Sequence, residues 1–72
     1  MKFESIHGLA FTPKSHLVYE AVNANDKWVV VVDGNIGPPS DNIIDGTMEF
    51  HDDGCVEYLA RRDNVLYRVK QR

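Results

Sequence analysis

The sequence predicts an all-β fold, an antiparallel meander of about six strands in two repeats, with no significant helix. Short β-branched and aromatic runs alternate with polar turns along the chain. The chain also repeats itself after 39 positions, because residues 11–33 align with residues 50–72 without a gap. Five of these 23 pairs are identical: Phe11/Phe50, Tyr19/Tyr58, Ala21/Ala60, Asn25/Asn64 and Val30/Val69. Such a period, built from short strands, is typical of arrays in which each unit packs on its neighbours.

Each strand is predicted from an apolar or β-branched run bounded by turn-forming residues. The predicted strands are residues 3–11, 17–22, 27–32, 42–50, 56–61 and 65–70. Residues 33–41, which contain Gly34, Gly37, Pro38 and Pro39, form the longest predicted loop. Together these elements make one small domain over residues 1–72, with a first repeat at about 3–40 and a second at about 41–72.

Alternate residues of each strand are predicted to face the core, as a half-buried strand requires. The faces that keep their character between the two repeats are the best candidates for this core. The predicted shared core comprises Phe11/Phe50, Leu17/Val56, Tyr19/Tyr58, Ala21/Ala60, Trp28/Tyr67 and Val30/Val69.

The third strand of the first repeat is apolar on both faces. If Trp28 and Val30 point inward, then Val29 and Val31 point outward, where the second repeat has Arg68 and Lys70. A strand that is apolar on both faces is normally covered on both. We therefore expect the second repeat or another chain to cover this side. The candidate interface residues are Val29, Val31, Arg68 and Lys70.

At 72 residues the chain is near the lower limit for a self-sufficient hydrophobic core. Small domains usually add a disulfide, a metal or a partner subunit. The single cysteine, Cys55, excludes an intrachain disulfide, and no Cys/His spacing matches a structural zinc site. Homo-oligomerisation is the remaining expectation, and no cofactor is expected.

The charge distribution is uneven. The net charge of −3 argues against nucleic-acid binding, which needs a basic surface. Residues 41–57 hold six acids and no Lys or Arg, whereas residues 61–72 hold five basic residues and one acid. Two solvated faces of opposite sign within one fold explain this pattern. A head-to-tail contact between subunits, acidic edge on basic edge, is the alternative.

The sequence also bears on location. No apolar run is long enough for a membrane-spanning helix, and the first residues lack the features of a signal peptide. The expectation is a cytoplasmic protein with no membrane partner.

Three groups of residues invite a chemical interpretation. His51, Asp52 and Asp53 suggest a metal or acid–base site, but an Asp-Asp-Gly hairpin turn explains them with fewer assumptions. His16 and Cys55 occupy equivalent positions, without a third residue to complete a nucleophilic site. An aromatic platform is the third possibility, although core packing explains its members better: Tyr19, Trp28 and Tyr67. No enzyme activity is expected.

Residues 11–15 (FTPKS) and 50–54 (FHDDG) resemble the Phe-Ser-Pro-Asp-Gly turn of WD40-like propeller repeats of the TolB type. The segment 32–39 (VDGNIGPP) is similar to a Val-Asp-Gly-x-x-Gly-Pro stretch in the same repeats. The resemblance implies two blade-like units. Neither copy has the complete turn motif, since Lys14-Ser15 replaces Asp-Gly in one and Asp52 replaces Pro in the other. Two units are also too few for a closed ring in one chain.

These observations predict a non-enzymatic binding or scaffold module that completes its fold by homo-oligomerisation. Its expected partners are further copies of the chain, a different protein or a small ligand. The alternative is a compact, sandwich-like accessory or inhibitory protein that binds another protein.

Overall fold

The computed structural model describes Phe3, residues 5–44 and residues 46–71. Within them the chain is all-β and antiparallel, without a helix, which confirms the predicted fold class. It has eight strands: β1 (Ser5–Phe11), β2 (Leu17–Val22), β3 (Trp28–Val32), β4 (Asn35–Ile36), β5 (Asn42–Ile43), β6 (Glu49–Phe50), β7 (Val56–Arg62) and β8 (Val65–Gln71). Among the residues described, no helix is long and apolar enough to span a membrane.

The strands form two sheets. The first sheet has the order β1-β2-β3-β4. In the second sheet, β5 and β6 pair with successive parts of β7, and β8 pairs with β7 along its length. The count of about six strands was therefore too low: β4 was missed, and the strand predicted at 42–50 is divided into β5 and β6.

The division between β5 and β6 has a local cause. Backbone pairing with β7 stops after Ile44, whose N–H donates to the carbonyl of Leu59. The Thr47 hydroxyl then donates to the carbonyl of Ile44 and accepts from the N–H of Leu59. Gly46 follows the break with a positive φ of 76°. A side-chain hydroxyl thus replaces a backbone partner where the chain leaves the ladder.

The turn that precedes β2 in the first repeat is the same as the turn that precedes β7 in the second. The Thr12 N–H donates to the carbonyl of His16, and the His51 N–H donates to that of Cys55. A second backbone hydrogen bond is donated by the Ser15 N–H in the first turn and by the Gly54 N–H in the second. Ser15 and Gly54 have positive φ angles of 64° and 92°. These residues are 39 positions apart, so the sequence repeat is also a repeat of backbone geometry at this turn.

The next turn differs between the copies by one residue. In the second sheet the hairpin closes at Arg62 opposite Val65, around Asp63 and Asn64. Both turn residues have positive φ, as a two-residue type I′ turn requires. In the first sheet the corresponding turn is longer: Val22 lies opposite Trp28, and the Asn23 N–H donates to the carbonyl of Lys27. The extra residue shifts the register of β3 relative to β8.

This register shift explains why the predicted grouping of side chains on one face was wrong. A register change of one residue moves every side chain of a strand to the other face. Tyr19 lies opposite Val31, whereas Tyr58 lies opposite Val69. The structural counterparts of Tyr67 and Val69 are therefore Val29 and Val31. The prediction that Trp28 and Val30 share a face with Tyr19 was wrong, because it assumed two turns of equal length.

The main core lies between the two sheets. From the first sheet it takes Val18, Val30 and Val32, with Trp28 at its margin. From the second it takes Ile43, Val56, Tyr58 and Ala60, with Met48 and Val69 at its margin. The predicted core face of the second repeat is thus confirmed at Val56, Tyr58 and Ala60. In the first repeat the predicted inward face of β3 is confirmed, with Val30 in this core and Trp28 at its margin, whereas β2 packs through the opposite face, which begins at Val18.

Phe11 and Phe50 depart from the predicted core. They are 67% and 37% exposed, and Leu17 is also 37% exposed. Phe11 and Leu17 lie opposite each other on the side of the first sheet that faces away from the second sheet. Both phenylalanines come directly before the repeated turn, and neither is a core residue.

A buried polar contact joins the sheets. The Tyr58 hydroxyl donates to Oε1 of Gln71 at 2.7 Å, and Nε2 of Gln71 donates to the carbonyl of Val30 at 2.8 Å. Gly37 leaves room for this amide, because a Cβ there would lie 2.2 Å from Oε1 of Gln71. Burial raises the pKa of Tyr58 to about 12. The contact connects β7 and β8 with β3 through groups that water does not reach easily.

We predict that Tyr58→Phe lowers the free energy of unfolding by about 1–3 kcal/mol, because it removes the donor to the Gln71 amide inside the protein. Chemical denaturation measures this change. Tyr67→Phe is the control, since Tyr67 is exposed and its substitution should change stability by less than about 0.5 kcal/mol. Equal losses in the two variants would contradict the role assigned to the Tyr58–Gln71 contact.

Candidate interaction surfaces

The outward side of the first sheet is apolar on all four strands. We call it the open face. Its members alternate with the core residues along each strand and lie opposite one another across the sheet. The open face comprises Ile6, Leu9, Phe11, Leu17, Tyr19, Ala21, Val29, Val31 and Ile36. None of these nine residues is charged, and the Tyr19 hydroxyl is their one polar side-chain group.

A bulge in β1 brings its three large apolar residues to this face. Without it, Leu9 and Phe11 would point to the side opposite Ile6, because residues alternate along a strand. The register shifts between His7 and Leu9 at Gly8, which has a φ of 57°. Gly8 accepts this backbone geometry without the strain that a side chain would bring.

Val29 and Val31, two of the four predicted interface residues, lie at the centre of the open face. They are buried within the single chain and form a small cluster with Ala21. Phe3 and Tyr19 pack against this cluster, with their rings 6.2 Å apart in an edge-to-face arrangement. The cover expected for these valines is thus supplied in part by the chain itself. A partner would instead touch the exposed residues around them.

Five large side chains of the open face remain accessible. Ile6, Leu9, Phe11, Leu17 and Ile36 are between 37% and 68% exposed. Single exposed hydrophobics are common on soluble proteins, but a continuous patch without charges marks an interaction surface. This surface was not predicted from the sequence, because the repeat placed Phe11 and Leu17 in the core and gave no role to Ile6, Leu9 or Ile36.

The outward side of the second sheet is different in character. We call it the charged face, and it comprises Asn42, Glu49, Glu57, Leu59, Arg61, Leu66, Arg68 and Lys70. Glu57 lies at its centre, 2.7 Å from Nε2 of His51 and 3.5 Å from the guanidinium of Arg68. The hydrogen bond with His51, and to a lesser degree Arg68, lowers the pKa of the Glu57 carboxyl.

Arg68 and Lys70, the other two predicted interface residues, are exposed on β8. They also line a pocket of about 300 Å³ between β8 and the segment that precedes β5. We call this pocket the β8 groove. Its lining residues are Pro38, Pro39, Ser40, Arg62, Tyr67, Arg68, Val69 and Lys70. The predicted interface residues therefore separate into two surfaces, the open face and the β8 groove.

The wall opposite β8 is held by bonds to β3 and β7. Ser40 pairs with Trp28 through two backbone hydrogen bonds, and the Gly37 N–H donates to the carbonyl of Val30. Next to Ser40, the Asp41 carboxylate accepts from the Lys27 ammonium and from the Asp63 N–H of the β7–β8 turn. These bonds set the distance between the two sides of the β8 groove.

The residues with suggested chemistry form no joint site. His51, Asp52 and Asp53 make the β6–β7 turn, in which Oδ1 of Asp53 accepts from the N–H of Cys55, as the turn interpretation predicted. Over the part of the chain that the structure describes, no group of three or more His, Cys, Asp and Glu is placed to hold a metal ion. Cys55 is buried.

The three aromatic residues proposed for a platform point to different neighbours. Tyr19 contacts Phe3, and Trp28 lies 4.9 Å from the His7 ring on the core side of the first sheet. Tyr67 lies beneath the Arg62 guanidinium, 5.3 Å from ring centre to carbon. The core interpretation fits Trp28, whereas Tyr67 belongs to the β8 groove.

Comparisons with known proteins add no assignment. No family model, no curated protein and no solved structure matches this chain. The open face and the β8 groove therefore stand on their geometry and chemistry alone.

We predict that Asp41→Asn lowers the melting temperature at neutral pH and that the difference from the parent chain shrinks in acid. The bond from the Lys27 ammonium, helped by the Asp63 N–H, holds the pKa of the Asp41 carboxyl below its usual value. The stabilisation is therefore present above the ordinary pKa of aspartate and is lost as the pH falls through the lowered value.

Melting curves of both chains over a series of pH values test this dependence. Asp26→Asn is the control, because Asp26 is exposed and takes part in none of the ion pairs found among the described residues. A difference between Asp41→Asn and the parent that stays constant into strong acid would contradict the ion pair as its source.

Proposed function

We propose that this chain is a non-enzymatic binding module that pairs with a second copy of itself through the open face. The observation that supports this most strongly is the group of five exposed, large apolar side chains on one uncharged sheet face. Burying such a face removes apolar area from water without stripping charges of their hydration.

The two sheets face the same way, and this orientation shows which faces would meet if the stack continued. By register, Tyr19 and Val31 on the open face correspond to Tyr58 and Val69 on the core side of the second sheet. The two sheets therefore stack with the same orientation, as successive units of an array do. The next unit in such a stack would place a charged face against an open face.

Charge argues against that head-to-tail continuation. The charged face carries Glu57, Arg61, Arg68 and Lys70, which would lose hydration against the uncharged open face. It suits the end of a stack, since terminal units of repeat arrays have a polar outer face. Two open faces in contact would form a four-sheet stack with a charged face at each end. This arrangement is isologous, the commonest form of homodimer.

The size of the molecule fits this assembly. Packed sheets lie about 10 Å apart, which with outward side chains accounts for the shortest dimension of 17 Å. The sheet faces then extend over the other two dimensions, 31 and 26 Å. A stable interface buries roughly 800 Å² on each partner, an area of the same order as one such face.

The relation to WD40-like repeats of the TolB type is part of this proposal. The repeated turn at Thr12 and His51 and the common orientation of the two sheets support a two-unit, blade-like array. Pairing of open faces, rather than closure of a ring, would then complete the packing.

Leu9→Glu should convert a dimer into a monomer, because it introduces a charge into the contact. Leu9 is 68% exposed in the single chain, so the substitution leaves the core intact. Light scattering after size-exclusion chromatography measures the mass, with twice the chain mass of 8.2 kDa expected for the parent. Leu66→Glu is the matched control, since Leu66 is 60% exposed on the charged face. It should leave the dimer unchanged.

A parent chain that has monomer mass at micromolar concentration would contradict self-pairing. The open face would then serve a different protein, as the accessory or inhibitory role requires. Loss of the dimer in both leucine variants would also contradict the proposed contact, because it would point to a general effect of added charge.

A further inference from the structure

The β8 groove combines cationic groups with apolar walls. Arg62, Arg68 and Lys70 contribute positive charge, and none of its lining residues is acidic. Tyr67, Val69 and the two prolines at 38 and 39 contribute the apolar walls. Its volume of about 300 Å³ is at the lower end of the range for ligand pockets. The chemistry of this lining fits a negatively charged ligand with apolar parts.

The acidic groups near the groove are engaged elsewhere. Glu57 approaches Arg68 from the charged face and also contacts His51. Asp41 is bonded to Lys27 and to the Asp63 backbone. The Arg62 guanidinium stacks over Tyr67, and both Arg62 and Lys70 are exposed. Arg62 and Lys70 are thus the cations that a ligand would reach without displacing a carboxylate.

The groove also runs along an open sheet edge. β8 pairs with β7 on one side and has no other strand beside it in the described residues. In an antiparallel pair, alternate residues direct their backbone N–H and C=O groups away from the partner strand. Such an edge can accept an extended peptide as an additional strand.

We propose that the β8 groove binds an extended acidic segment of another protein as a strand added to the free edge of β8. Backbone bonds to β8 hold the segment. Side chains alternate along an added strand, so its carboxylates pair with Lys70 on the side of the charged face and its apolar side chains pack on Tyr67 on the other side. Charge complementarity selects this partner, because the groove presents cations and no carboxylate. This site lies between β8 and residues 38–40 and does not use the open face, so it goes beyond self-pairing.

Fluorescence anisotropy with a short labelled peptide of alternating valine and glutamate tests the proposal. We expect saturable binding that weakens with salt, and no binding of the matched valine–lysine peptide. Lys70→Gln should weaken binding roughly tenfold, the effect of losing one charge-assisted hydrogen bond. Arg61→Gln is the control, because exposed Arg61 does not line the groove, and binding should be unchanged.

A second peptide separates edge pairing from charge attraction alone. N-methylation of alternate amides removes the backbone donors but keeps the carboxylates, and it should abolish binding. Equal binding of the methylated peptide, or displacement by modest concentrations of free glutamate, would overturn the proposal. Unchanged affinity in the Lys70→Gln variant would overturn it as well.

The same titration with the Leu9→Glu chain keeps the two proposals distinguishable. Peptide binding should be retained there, because the open face and the β8 groove share no residue. Loss of peptide binding in Leu9→Glu alone would overturn the independence of the groove.

Discussion

One residue of turn length sets which face of β3 lies on the same side of the first sheet as Tyr19. The β7–β8 hairpin turns on Asp63 and Asn64, while the β2–β3 turn is longer and begins at Asn23. Because side chains alternate along a strand, this difference pairs Tyr19 with Val31 in place of Val30. The tyrosine side of the first sheet becomes the open face. Its counterpart in the second sheet, which carries Tyr58, forms the core.

The packing of the two sheets determines the character of both outer faces of the molecule. The valines at 18, 30 and 32 pack against Val56 and Tyr58, and this contact brings Gln71 close enough to bond the carbonyl of Val30. The same packing leaves the apolar open face on one side of the molecule and the charged face on the other. A chain this small buries a limited fraction of its surface, so a second copy on the open face would add the packing that one chain lacks. The β8 groove shares no residue with the open face.

Much of the fold was predictable from local patterns. Alternating apolar residues located β2, β3, β7 and β8 closely, and the 39-residue repeat located equivalent turns. The core faces of β3 and β7 were predicted correctly, whereas Tyr19 on β2 was not, because the gapless alignment gave β2 the same inward face as β7. The sequence signal for the longer turn was the polar run 23–26 against the shorter 62–64. Arg68 and Lys70 were identified as surface residues, but their approach to Pro38 and Pro39 depends on the path of residues 37–40 along β3.

The central claim is the register of β3 against β2, since it places Val29 and Val31 on the open face beside Ala21 and Tyr19. Nuclear Overhauser contacts between backbone protons of the two strands measure this register directly, because opposite residues in antiparallel strands lie close together. The structure predicts contacts that place Tyr19 opposite Val31 and Ala21 opposite Val29. Contacts that place Tyr19 opposite Val30, as two turns of equal length would require, would contradict the account.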